Sequence, residues 1–290
     1  MEKVIGVKTM GNNQAIRQKA RGLLKKGNYK TMLKFTLAYF VAGVVFSMIT
    51  EIIAAVLEEA LHINGETGFL SGLTGIFLAL LMAAWVWATV NWIRTGEQPA
   101  KVLPNLFAFY RSGRFIKMFS LMFMQIIYTA LWTLLLIVPG IIKGYGYSQA
   151  MYLRADALER GQVGDQDRVG AYLKQSSKLM KGHKWQFFVL QLSIAWWLWI
   201  PMAIAAVTLI TSAIGIVYLI FSNMTGAVDA MMVRIIVAMI VIVVCAVINF
   251  FWVQPYLVAA QGAFYVELTK DLPIKQVVKV EVLYPNKTQQ

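Results

Sequence analysis

No charged side chain interrupts residues 185–221, a run of 37. As one α-helix this run would extend about 55 Å, nearly twice the thickness of a bilayer's hydrocarbon core. Residues 33–57, 69–93, 115–138 and 231–252 are further apolar runs, each near or above the ~20 residues that cross that core. Charged residues make up 14% of the 290-residue chain and hydrophobic ones 59%, whereas a soluble domain is about 25% charged. The runs do not alternate as the ~10-residue strands of a membrane barrel do. The fold class is therefore all-α: a polytopic membrane protein. Six transmembrane helices are expected, arranged as three hairpins with basic amphipathic connectors.

The net charge of +13 would point to nucleic acid in a soluble protein. Here 25 of the 27 lysines and arginines fall in residues 1–34, 94–117, 154–184 and 267–290. The turns at 58–68 and 222–230 carry none; only Lys143 and Arg234 lie elsewhere. Under the positive-inside rule both termini and both long connections are cytoplasmic. The basic residues then face anionic lipid headgroups, and nucleic acid is not expected as a partner. The expected location is a bacterial plasma membrane. The chain divides into a basic cytoplasmic segment (1–30), a transmembrane domain (31–268) and a cytoplasmic tail (269–290). The long polar start is not a cleavable signal peptide. Residues 14–26 read as a basic amphipathic helix, either in the headgroup region or solvated.

Leu135 to Asp156 organise the rest of the chain. The apolar run ends at Pro139-Gly140, expected as the crest of a hairpin, and a fourth span follows over 141–153. Gly140, Gly144 and Ser148 recur every fourth residue, a stripe that lets two helix backbones approach closely in lipid. Ser71, Gly75, Ala79 and Ala83 form a second such stripe. Lys143 stands apart from every other basic cluster. It either snorkels to the outer headgroups or faces a polar cavity and binds an anion. Trp92 suits an aromatic belt. The run 185–221 reads as one helix bent at Pro201, or as a helix with a re-entrant piece around Gly215. Gln254, Pro255 and Tyr256 kink the last span. The tail has a β-like run at 277–283.

Three basic segments end alike: Lys25-Lys26-Gly27-Asn28-Tyr29, Arg111-Ser112-Gly113-Arg114-Phe115 and Lys181-Gly182-His183-Lys184-Trp185. Each has a basic helix end, a glycine suited to positive φ, and an aromatic anchor. Pro139 with Ala150-Met151-Tyr152 and Pro255 with Ala263-Phe264-Tyr265 also correspond, so the three hairpins read as a repeat. The segments VPGIIKGYGYSQAMYLRAD (138–156), SSKLMKGHKWQFFVLQLS (176–193) and QPYLVAAQGAFYVEL (254–268) occur in order. In this the chain resembles an uncharacterised family of Gram-positive bacterial membrane proteins, known only as a domain of unknown function. The resemblance covers about 14–268, and the stretch between Trp199 and Met231 is longer than the family pattern. It implies a six-helix integral membrane protein and carries no catalytic residues.

Chemistry is sparse. His62 and His183 are the two histidines and Cys245 the one cysteine. No HExxH, P-loop or dinucleotide fingerprint is present. Glu58 and His62 are four apart but make only two ligands, so no metal is expected. Gly144-Tyr145-Gly146 lacks the lead-in of a potassium filter. Asp165 and Asp167 read as a solvated helix start. No enzyme and no cofactor are expected. Gln125, Gln191, Asn249, Gln254 and Gln261 lie within spans, where amides bond neighbouring helices. With the tyrosines they could instead line a cavity. The candidate cavity or motif residues are Pro139, Gly140, Lys143, Gly144, Tyr147, Tyr152, Gln191, Gln254, Pro255, Tyr256 and Tyr265. The expected function is a non-enzymatic membrane module that binds a lipid, a hydrophobic peptide or a membrane-protein partner, as an envelope accessory or protective factor. A transporter or channel for a small or amphiphilic solute is the alternative, motivated by the broken helices.

Overall fold

A computed structural model describes residues 13–25, 27–61, 68–111, 113–161, 168–221 and 228–270. His62, Asp165, Asp167, residues 222–227 of the turn expected at 222–230 and the tail with its expected β-like run at 277–283 lie outside them, and residues 228–230 of that expected turn are helical. Every regular element among the described residues is helical: α1 (Asn13–Leu23), α2 (Asn28–Leu61), α3 (Gly68–Thr95), α4 (Val102–Leu106), α5 (Phe115–Leu135), α6 (Ile137–Tyr147), α7 (Ala150–Glu159), α8 (Val169–Leu179), α9 (Lys184–Phe221), α10 (Val228–Ile248) and α11 (Gln254–Thr269). Lipid offers no partner to a backbone N–H or C=O, so a helix that bonds its own backbone is the available form. Five stretches are long and apolar enough to cross a membrane: 28–60, 72–95, 115–135, 184–218 and 231–269. The protein is an all-α polytopic membrane protein. The fourth expected span, 141–153, is instead divided between α6 and α7, with a turn at Ser148-Gln149.

The chain forms two compact units, residues 1–188 with 258–290, and residues 189–257. In the first, α2 and α3 pair along their length. Phe35 stacks on Trp85 and Phe46 on Phe77. The hydroxyls of Thr50 and Thr74 share a hydrogen bond of 3.0 Å. The far end of α3 is enclosed by protein: Trp85, Val86, Trp87 and Trp92 are all buried. At 4% exposure Trp92 packs in a protein core and is not a belt residue. The amphipathic segments behave likewise. Ile16 and Ala20 of α1 are buried, Lys19 pairs with Glu267, and the Asn13 amide donates to the Gln186 carbonyl. One face of this helix docks on protein, and the opposite face, with Gln14, Gln18, Lys19 and Arg21, stays exposed. Gly27, Gly113 and Gly182 have φ of 99°, 79° and 85°, and each stands just before a long helix.

The crest lies earlier than expected. Leu136 alone is extended, at φ −159° and ψ 136°, and α6 begins at Ile137. Pro139 falls in the first turn of α6, where a helix N–H has no intrahelical acceptor and a proline costs nothing. The Leu136 carbonyl accepts the Gly140 N–H at 3.1 Å.

Helix α9 is one continuous helix of 38 residues with Pro201 inside it. The sequence alternative of a re-entrant piece around Gly215 is not what forms. A methyl on Gly215 would come within 2.7 Å of the Met231 Cε, so α9 and α10 touch there. The kink expected at Gln254-Pro255-Tyr256 takes the form of a π-helical segment, Asn249–Val253. The Gln254 N–H reaches back to the Asn249 carbonyl. A widened turn ahead of Pro255 relieves the clash of its ring with the preceding turn.

Candidate functional site

The break between α6 and α7 is held by one side chain. Ser176 of α8 is buried. Its Oγ accepts the Gln149 N–H at 3.2 Å and donates to the Gly146 carbonyl at 2.7 Å. These are the backbone groups that the break removes from helical pairing. Ser176→Ala leaves both without a partner in a buried setting and is expected to lower stability by about 1–3 kcal/mol. The neighbouring Ser177→Ala is expected to have little effect. Thermal unfolding of the two variants in detergent checks the contrast.

Beneath the break, α7 carries an ionic cluster. The Asp156 side chain is 3% exposed and takes a two-pronged contact from Arg94 of α3, Nη1 to Oδ1 at 2.7 Å and Nη2 to Oδ2 at 3.0 Å. The Tyr265 hydroxyl of α11 donates to Oδ2 at 2.6 Å, and Arg160 approaches Oδ1 at 3.4 Å. The Arg94 guanidinium lies over the rings of Trp87 and Tyr265 at 5.6 and 5.4 Å. Glu159 accepts from the Trp87 indole at 2.7 Å and from Asn91 at 3.3 Å. Arg154, also buried, donates to the Lys117 carbonyl and Ser120 Oγ of α5. Both Asp156 oxygens are thus occupied by protein donors. A carboxylate so engaged ties α3, α7 and α11 together and has no free lone-pair site for substrate. Among the described residues no three His, Cys, Asp or Glu side chains converge as a metal centre requires.

A cleft of about 530 Å³ opens among α3, α5 and the α6–α7 break. Gly72, Gly75, Ala79 and Ala83 form one wall, Met122, Gln125 and Ile126 a second, and Ser148, Met151 and Tyr152 the third. Gly75, Ala79 and Ala83 of the small-residue stripe of α3 thus face a space, and Gly72 extends that wall. From Gly72 to Ala83 the wall covers 12 residues, about 16 Å of helix. The rim residue Ile126 is exposed. The Gln125 Oε1 is buried and has no hydrogen-bond partner. Tyr152 packs edge-on against Tyr265, and burial raises its phenol well above the usual range, so it stays neutral.

The candidate residues read from the sequence do not share one place. Pro139 starts α6. Gly140 and Gly144 face Thr133 and Thr129 of α5, so the stripe Gly140-Gly144 does press two helices together. Tyr147 is buried. The Lys143 Nζ lies 4.6 Å from the centre of the Trp132 ring. Lys143 is not isolated: it is close enough to Lys184 for the two charges to interact. Tyr152 and Tyr265 come together between cleft and ionic cluster. Gln191, Gln254, Pro255 and Tyr256 belong to the second unit, where the Tyr256 hydroxyl is buried without a partner. Sequence reasoning passed over Asp156, Arg94 and Ser176. The available signal was an acidic residue just past an apolar helix in a strongly basic chain, with an arginine closing another such helix.

Residues 134–272 match the model of a family described as a protein of unknown function, DUF975. All three motifs that carry the resemblance fall within that segment, and the match does not extend to 14–133. No curated protein and no solved structure matches the chain.

Proposed function

We propose that the protein is a non-enzymatic integral membrane module whose cleft among α3, α5 and α7 holds an amphiphile, an apolar chain bearing a hydroxyl or amine donor. The observation that carries this is the Gln125 Oε1, buried without a partner in a cleft walled by glycine and alanine. A buried acceptor without a donor costs about 1–3 kcal/mol, and a ligand hydroxyl or amine would remove that cost. The volume lies within the ~300–1,000 Å³ of small-molecule sites. The small-residue wall leaves an elongated slot for an apolar chain, and the exposed Ile126 rim gives access from lipid. The setting is a bacterial plasma membrane with both termini cytoplasmic, supported by the placement of the basic residues. The shared left-handed glycines before α2, α5 and α9 support a threefold repeat. Anionic headgroups at the cytoplasmic face are the lipid partners, and a hydrophobic peptide or membrane protein would use the same apolar slot.

Ala79→Leu fills the slot without adding charge. Purified in mild detergent, the wild-type chain is expected to carry a bound amphiphile detectable by mass spectrometry of an organic extract, and Ala79→Leu to lose most of it. Equal lipid on both, or none on the wild type, would falsify the proposal. Translocation of the amphiphile is a second reading, favoured by the helix break at Ser148-Gln149 in the cleft wall. Reconstituted vesicles that bind the amphiphile but never move it between leaflets would leave the binding module alone.

A further inference from the structure

The expected crossing of α5 and its return as a fourth span require the crest to reach the opposite face of the membrane. The geometry of α6 does not allow this. Ser176 of α8 bonds the Gly146 carbonyl, and a methyl on Gly146 would stand 3.4 Å from the Lys184 Nζ and 3.3 Å from the Ser177 Oγ. Gly146 is therefore level with α8 and with the start of α9. Helix α8 exposes Lys174 and Lys178, so it lies where lysines reach water or headgroups, not in hydrocarbon. Only ten residues separate Gly146 from the crest at Leu136, about 15 Å of helix, half of the core thickness.

Beyond that level the hairpin is apolar at its tip. Leu134, Leu135, Leu136, Ile137 and Val138 are 87%, 70%, 66%, 70% and 65% exposed, with no polar residue among them to meet water. The connection is a single residue, and its backbone is paired: the Leu136 N–H donates to the Trp132 carbonyl, and its carbonyl accepts from Gly140. Pro139 removes one more donor that the first turn would leave open. Lys143 and Trp132, stacked as a cation on a ring, sit between the tip and the α8 level. Their polar ends suit the boundary between headgroup and chain. The length of α5 is no objection. Its first turns, with Met118 and Leu121 buried and Lys117 bonded to Arg154, lie within the protein.

We infer that α5 and α6 form a re-entrant hairpin. It enters from the side that carries α8, turns at Leu136 among the acyl chains of that leaflet, and returns without crossing. Its partner is the bilayer interior. Parity agrees: of the five stretches long enough to span, four remain once α5 is removed, and an even number returns both basic termini to one side.

Cysteine labelling tests this in the full chain, with Cys245→Ala removing the native thiol. L136C and L134C are each placed in that background, with K178C as the accessible control. Sealed vesicles of both orientations are treated with a membrane-impermeant maleimide. L136C and L134C are expected to react at least about tenfold more slowly than K178C from either side, because the reagent and the thiolate both need water. Both should react fully once denatured. A fluorophore attached at either site should be quenched by lipids brominated on the acyl chain. Labelling of L136C or L134C from the face opposite K178C means that the hairpin crosses and overturns the inference. Labelling from the same face, or a fluorophore that brominated chains fail to quench, places the tip in water and overturns it equally.

Discussion

Asp156→Ala is expected to be among the most destabilising single substitutions in this chain, at about 3–5 kcal/mol. It removes the carboxylate that Arg94 grips with two hydrogen bonds and leaves the guanidinium between the Trp87 and Tyr265 rings. The Arg94 side chain keeps 27% exposure, so some water can reach the stranded charge and the lower part of that range applies. The Tyr265 hydroxyl, donating at 2.6 Å, loses its acceptor as well. Tyr265→Phe alone should cost less, about 1.5–3 kcal/mol, the usual worth of a hydrogen bond to a charged group. Removing both charges, as Arg94→Met with Asp156→Ala, should cost less than the sum of the two single changes, because no uncompensated ion remains. The measurement is thermal unfolding in detergent, where the Asp156→Ala midpoint is expected roughly 10 °C below wild type. Strict additivity of Arg94→Met and Asp156→Ala would mean that the pair is not coupled, and the clasp joining α3, α7 and α11 would be an incorrect description.

That clasp also shows where sequence reading stops. Helical membrane architecture was legible because lipid leaves few alternatives, and runs such as 185–221 state it without help from tertiary structure. Local stereochemistry was legible too. Gly27, Gly113 and Gly182 occupy the left-handed region, and Gly140 and Gly144 pack against α5, as their positions in short motifs suggest. What failed depended on contacts between distant elements. Arg94 and Asp156 are 62 residues apart, and no periodicity links them. Trp92 looked like a belt residue because a tryptophan near a helix end serves lipid or protein equally well until the neighbours are known. Pro139 looked like the crest because a proline that ends one helix and a proline in the first turn of the next read alike. The cleft escaped notice for a related reason: a small-residue stripe permits close packing, but only the third element decides whether a backbone fills the space.

Gly140 and Gly144 provide the second large effect, and they separate geometry from composition. Both are glycines on one face of one helix, four residues apart, and a rule based on small-residue stripes treats them alike. Their surroundings differ. A methyl on Gly140 would stand 2.1 Å from the Thr133 Oγ1 and 2.6 Å from the Thr133 Cα, the latter a backbone atom that no rotamer change can move. A methyl on Gly144 would meet the Thr129 Cγ2 at 3.5 Å, an ordinary contact. Gly140→Ala must therefore push α6 away from α5 at the crest, at a cost of at least the ~1–3 kcal/mol usual for overpacking. Gly144→Ala should be neutral or stabilising by up to about 1 kcal/mol, since alanine lowers the unfolded chain's freedom without new strain. Thr133→Ala added to Gly140→Ala should recover only part of the loss, because the hydroxyl clash disappears and the backbone clash stays. Unfolding midpoints of the three variants decide the matter. If Gly140→Ala and Gly144→Ala behave alike, α5 and α6 do not approach at Thr133, and the one-residue crest at Leu136 would be untenable.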